Sequence, residues 1–129
     1  MKNLSQIAIF SLIIENPVYK AIKSYCVENN IQYMFESEID NVKDAIENMV
    51  DSKSEDTWGL LIFDDFTELN NGSRSNPYAK VINTASAMLR NYQFHIIQIT
   101  QSPLNIGTIC RNNANLRVLF RVSDRYALE

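Results

Sequence analysis

Apolar and polar positions alternate along this chain in blocks of two kinds. Some blocks are short and apolar on both faces, which is the mark of a strand buried in a parallel sheet. Others place apolar residues three and four apart, the mark of a helix with one inward face. Gln6 to Ile14 is the first strand block. Asn16-Pro17 opens a helix, with Asn16 as N-cap and Pro17 at the first helical position. Val18, Ile22, Tyr25 and Cys26 then share a face, and Asn29-Asn30 ends the helix. Ile31 to Phe35 is a second, shorter strand. Ser37 or Asp40 is expected to cap the next helix, whose apolar stripe is Ile39, Val42, Ile46, Met49 and Val50. A polar loop, Asp51 to Asp56, leads into the strand Trp58 to Phe63. The loop Asn70 to Asn76 precedes a helix from about Pro77 to Asn91. Phe94 to Thr100 is the next strand, Pro103 to Asn112 a short helix, and Leu116 to Val122 a last strand.

Strands separated by helices predict an α/β fold: a mostly parallel sheet, flanking helices and right-handed crossovers. A chain of 129 residues makes one domain, and an apolar share of 46% is enough for one core. The net charge of -3 argues against a generally basic surface for nucleic acid, although a basic loop, such as the one holding Arg74, remains possible. Cys26 and Cys110 are far apart and lack metal-like spacing. They read as small buried apolar residues of a reduced intracellular protein. No apolar stretch approaches the roughly 20 residues of a membrane helix, and Glu15-Asn16-Pro17 is a poor cleavage site after the apolar run Ile7 to Ile14.

Candidate chemistry lies at strand ends. Trp58-Gly59-Leu60-Leu61-Ile62-Phe63 runs straight into Asp64-Asp65. Ligand sites in open parallel sheets sit at the carboxyl ends of the strands, so these two acids are well placed. Asp64 would hold a magnesium ion, which prefers a few hard oxygen ligands plus waters. Asp65 would polarise the attacking water, because a metal-bound carboxylate is a poor base. The bland alternative is an acidic turn. Thr100 and Gln101, at the end of the Phe94 strand, would sense a terminal phosphate, against the plain reading of a polar turn before Pro103. Arg90 reads either as an arginine finger, acting on a neighbouring subunit's nucleotide, or as a cation favourably placed near a helix C-terminus. His95, the only histidine, reads as a satisfied core or near-core residue. Arg111, Arg117, Arg121 and Arg125 read as a solvated edge. The sequence contains no G-x-x-x-x-G-K-[ST] phosphate cradle and has only three glycines, Gly59, Gly72 and Gly107.

Leu60-Leu61-Ile62-Phe63-Asp64-Asp65-Phe66 resembles the Walker B motif of the FtsK/HerA superfamily of DNA-pumping P-loop ATPases. Ile99-Thr100-Gln101-Ser102-Pro103 resembles its Thr-Gln-x-Pro motif, and Asn113 to Ser123 resembles the stretch that follows. Arg90 matches the position of the family's trans-acting finger. The Asp-Asp pair, with Ser11 to Tyr19 after an early strand, looks most like the genome-packaging ATPases of large DNA viruses. The resemblance implies a partial RecA-like core with Asp64 as metal ligand, Asp65, Gln101 and Arg90 as catalytic residues and Thr100 at the nucleotide. It implies ATP and Mg²⁺ as cofactors, double-stranded DNA and a capsid as partners, a homo-oligomeric ring, and a place in the host cytoplasm or virion. The family's Walker A loop lies upstream of the strand that begins here near Gln6. The chain is therefore expected to be a fragment, one half of a split gene or a degenerate copy, inactive alone. A non-catalytic scaffold domain derived from the ATPase fold is the alternative. A receiver-like signalling domain would want a lysine at a late strand end, where Arg121-Val122-Ser123-Asp124 stands instead. In the family, the Walker A strand separates the Thr-Gln strand from the one matching Leu116 to Val122. Without it, Phe94 to Thr100 is expected to pair directly with Leu116 to Val122, with Asp64 and Gln101 kept on one sheet edge.

Overall fold

A computed structural model describes residues 3–65, 89–100, 114–116 and 118. The fold is α/β, with an all-parallel four-stranded sheet and flanking helices, consistent with a partial RecA-like core. The elements are β1 (Asn3–Ser11), α1 (Pro17–Glu28), β2 (Gln32–Glu36), α2 (Val42–Ser52), β3 (Thr57–Asp64) and β4 (Phe94–Ile99). Single 3-10 turns, Ile39–Asn41 and Leu89–Tyr92, precede α2 and β4. Strand order is β2-β1-β3-β4, and every pairing is parallel.

The apolar runs form the central strands because both of their faces are covered. Ala8, Phe10, Leu61 and Phe63 face α2, where Val42, Ala45, Ile46 and Met49 are buried against them. Ile7 and Ile9 face the other way, onto Tyr19 and Cys26 of α1. The two helices thus lie on opposite faces, as right-handed crossovers require. The chain steps outward from β1 to β2 through α1, then back across β1 to β3 through α2.

Helix α1 begins as its sequence predicts. The Asn16 side chain accepts a hydrogen bond from the Val18 amide at 2.9 Å, and Pro17 occupies the first turn. It closes on Asn30, which adopts φ 56 and lets the Ile31 amide reach the Cys26 carbonyl at 2.8 Å. Its inward stripe differs from the predicted one. Tyr19 and Cys26 are buried and Ile22 packs beside them, while Val18 and Tyr25 are exposed. Ile22 and Cys26 face the sheet as predicted and Val18 and Tyr25 do not, because the sheet meets the i, i+3, i+7 row Tyr19, Ile22, Cys26.

Other boundaries also differ. β1 runs from Asn3 to Ser11 and ends before the exposed Leu12, Ile13 and Ile14. Neither Ser37 nor Asp40 caps α2; the 3-10 turn intervenes, and Asn41 takes the N-cap position without a side-chain bond. The apolar stripe of α2 is as predicted. His95 is exposed on β4 and stacks on Trp58, with ring centroids 4.4 Å apart. It is therefore a surface residue, because its register position turns it away from the α2 core.

β4 is the edge of the described sheet. Leu116 and Val118 lie outside any strand and are 80% and 66% exposed, so the predicted pairing of β4 with a strand from Leu116 to Val122 does not occur at those two residues. The rest of that segment lies outside the described residues, as do the loop Asn70 to Asn76, the helix Pro103 to Asn112 and most of Pro77 to Asn91. Among the described residues no helix is long and apolar enough to cross a membrane.

Gly59 allows β3 and β4 to close on each other. A Cβ built there would stand 2.1 Å from Phe94 Cε1, and Phe94 is itself buried in the α2-side core. Gly59→Ala is expected to cost about 1–3 kcal/mol, the usual range for overpacking a filled core. Urea denaturation would measure it. In a double-mutant cycle with Phe94→Leu the two substitutions should couple favourably; additive effects would mean that the ring is not the obstacle.

Candidate functional site

Chain direction singles out one place on the sheet. β1 is followed by its outer neighbour β2, whereas β3 is followed by β4 on the other side. The chain exits from two adjacent strands therefore diverge between β1 and β3. In open α/β sheets, the crevice outside the carboxyl ends at such a divergence is where ligands bind.

Ser11 and Asp64 stand side by side at that crevice, as Cα partners in the β1–β3 register. Ser11 is fully buried, and its Oγ accepts a hydrogen bond from the Ile13 amide at 3.1 Å. Asp64 is also the partner of Ile99 on β4. The period of two along β3 puts the Asp64 side chain on the α1 face, with Leu60 and Ile62. There the Tyr19 hydroxyl donates a hydrogen bond to Asp64 Oδ2.

Asp65 continues the ladder by one bond: its amide donates to the Ile99 carbonyl at 2.9 Å. Its backbone then turns left-handed, with φ 52, a conformation that aspartate tolerates better than most residues. Oδ1 of Asp65 is buried without a hydrogen-bond partner among the described residues. Such an orphaned acceptor is costly unless a cation, a water or a donor meets it. Thr100 directly follows Ile99, so it lies at the same edge on the adjacent strand. Gln101 lies outside the described residues. Arg90 falls in the 3-10 turn Leu89–Tyr92, just before β4 begins, which puts its backbone away from the carboxyl ends of the strands; its side chain is not among those described.

Burial, and then the neighbouring charge of Asp65, push the Asp64 carboxyl above its ordinary value. Both disfavour the ionised form. The folded state thus holds the Asp64 proton more tightly than the unfolded state does. Stability from this group is present at low pH and falls as pH rises from the ordinary aspartate value through the raised one. Asp64→Asn is expected to remove that decline and to raise stability at neutral pH. Urea titrations of both proteins across the acid range would show it; an unchanged slope would mean that Asp64 is not the group responsible.

Among the described residues no three His, Cys, Asp or Glu side chains gather into a metal cage. Mg²⁺ does not require one: beside phosphate oxygens and waters, one or two carboxylates are enough. The Asp64–Asp65 pair, with the unpartnered Asp65 oxygen, fits a cation of that kind.

Sequence reasoning placed the acids and Thr100 at this edge, where they stand, but did not single out Tyr19 and Ser11. Ser11 is the only polar residue in the run Ile7 to Ile14, and that was its available signal. Tyr19 was legible only through the alternative stripe shared with Ile22 and Cys26. Set against family models, curated proteins and solved structures, the chain matches none of them.

Proposed function

We propose that the carboxyl edge of β3 is the metal- and water-handling half of an ATP-hydrolysing site, in a ring-forming motor that drives double-stranded DNA into a viral capsid. The observation that carries this reading is the pair Asp64-Asp65 at the β1–β3 divergence, one bond from Ile99 and so beside Thr100. The motor, its DNA and capsid partners, the ring and the host-cell or virion setting come from the resemblance of the Walker B-like and Thr-Gln-x-Pro-like segments.

Asp64 would hold Mg²⁺ and Asp65 would orient and deprotonate the water. Thr100 and Gln101 would hydrogen-bond the terminal phosphate. Arg90 would act on the nucleotide of the neighbouring subunit. A bound Mg²⁺ would supply charge neutralisation at the phosphoryl oxygens. Backbone amides of a glycine loop normally supply much of the phosphate binding, and this sequence has no such loop. Titrated alone with Mg-ATP in a calorimeter, the chain is expected to bind weakly or not at all. A low-micromolar dissociation constant would reveal a cradle of another kind.

The reading is tested by joining the chain behind a P-loop strand and measuring Mg²⁺-dependent ATP hydrolysis. Turnover above that of the P-loop segment alone is expected. The missing cradle motif favours a second reading, a scaffold that kept the sheet without the chemistry. Nucleotide binding without turnover in the joined protein would decide for that scaffold.

A further inference from the structure

The tyrosine that reaches the candidate metal ligand is held at both ends. Asn16 caps the first turn of α1, and its carbonyl accepts the Tyr19 amide at 3.0 Å and the Lys20 amide at 3.2 Å. The ring is buried and lies 5.9 Å from that of Phe35 on β2, at a 44° tilt. With the backbone and the ring both fixed, the phenol oxygen has little freedom of its own. It meets Asp64 Oδ2 across the crevice. The other oxygen, Oδ1, is left outside this hydrogen bond. The acid sits at the last position of β3, where the β1 and β4 ladders constrain its backbone but not its side chain.

We infer that Tyr19 is the positioning residue of Asp64: its hydroxyl engages one carboxylate oxygen, fixes the plane of the group, and leaves the other oxygen for a divalent cation or a water bound to it. This deepens the metal role proposed for Asp64 and rests on that reading. Ligating carboxylates are commonly oriented by such an outer hydrogen bond, and losing it typically weakens metal binding by about 10- to 100-fold. The device also explains why a tyrosine occupies the third position of a helix whose inward row is otherwise small or aliphatic, with Ile22 and Cys26. Packing against Phe35 needs only the ring; the crevice needs the oxygen.

The test compares the parent chain with Tyr19→Phe and Asp64→Asn. Tyr19→Phe keeps the ring and removes one oxygen. Three-bond side-chain couplings in the NMR spectrum report the Asp64 rotamer without any metal, and electron paramagnetic resonance reports binding of Mn²⁺, used in place of Mg²⁺. In the parent, one Asp64 rotamer is expected; in Tyr19→Phe, rotamer averaging and a Mn²⁺ affinity about tenfold weaker. Asp64→Asn should abolish the bound Mn²⁺ signal. An unaveraged Asp64 rotamer in Tyr19→Phe overturns the inference. So does a Mn²⁺ affinity equal to or tighter than the parent's, in a protein whose Asp64→Asn form has lost binding. If Asp64→Asn leaves Mn²⁺ binding unchanged, the metal role of Asp64 itself falls, whatever the rotamers show.

Discussion

Asp65→Asn is expected to lower ATP turnover by about 10²- to 10⁴-fold, the usual contribution of a positioned general base, in the chain joined to a P-loop strand. Nucleotide affinity should stay within a few-fold of the parent. An amide has nearly the same size as the carboxylate but cannot take a proton from water. Asparagine also tolerates the left-handed backbone found at this position, and the hydrogen bond that residue 65 donates to the Ile99 carbonyl involves only main chain. The substitution therefore tests chemistry with little disturbance of the fold. Steady-state hydrolysis measured beside nucleotide binding separates the two effects. Turnover within a few-fold of the parent removes Asp65 from the mechanism. Arg90→Ala offers the companion experiment. If the arginine acts in trans, subunits lacking it should regain turnover when mixed with subunits altered only at Asp65.

Phe63→Ala is expected to cost about 3–5 kcal/mol of stability, a large share of the roughly 5–15 kcal/mol typical of a folded domain. Phe63 and Phe10 are fully buried on adjacent strands, and their rings stack with centroids 4.9 Å apart and planes 15° from parallel. Truncation would leave a cavity between β1, β3 and α2 and would forfeit the ring pair, itself worth about 0.5–1.5 kcal/mol. Urea midpoints with their slopes would measure the loss. Val18→Ala on the exposed side of α1 serves as control and should change stability by no more than about 0.5 kcal/mol. A cost for Phe63→Ala as small as the control's would mean that the α2-side core is not what holds the sheet together.

The sheet was legible in the sequence because its central strands are apolar on both faces. Leu60 to Phe63 and Ile7 to Phe10 admit no amphipathic helix, and the intervening α2 stripe fits only a helical period. The acids were legible because a buried strand must end, and here it ends in two carboxylates. Boundaries were harder to read. The run from Ile7 resumes after the single polar residue Ser11 and continues to Ile14, yet pairing stops at Ser11, since Asp64 is the last β3 residue with a partner on β1. Hydrophobicity alone does not mark where a partner strand runs out. The inward face of α1 was legible at Ile22 and Cys26 but not at Tyr19, because both faces carry apolar residues and only the sheet decides between Val18 and Tyr19. The Tyr19–Asp64 bond spans 45 residues, and no local pattern announces a contact of that range.

Parallel pairing also imposes an order on the making of this protein. β1 leaves the ribosome before both of its neighbours, β2 and β3, and the register joins Asn3 to Thr57. Until α2 and β3 have been synthesised, Ala8 and Phe10 have nothing to cover them on the α2 side. A nascent β1–α1–β2 unit can close only one face of its strands. Non-local parallel contacts form slowly, and apolar surface left open in the meantime favours association with other chains. The pairing that buries β1 on both sides in the finished protein thus leaves it waiting, during translation, until α2 and β3 have been made.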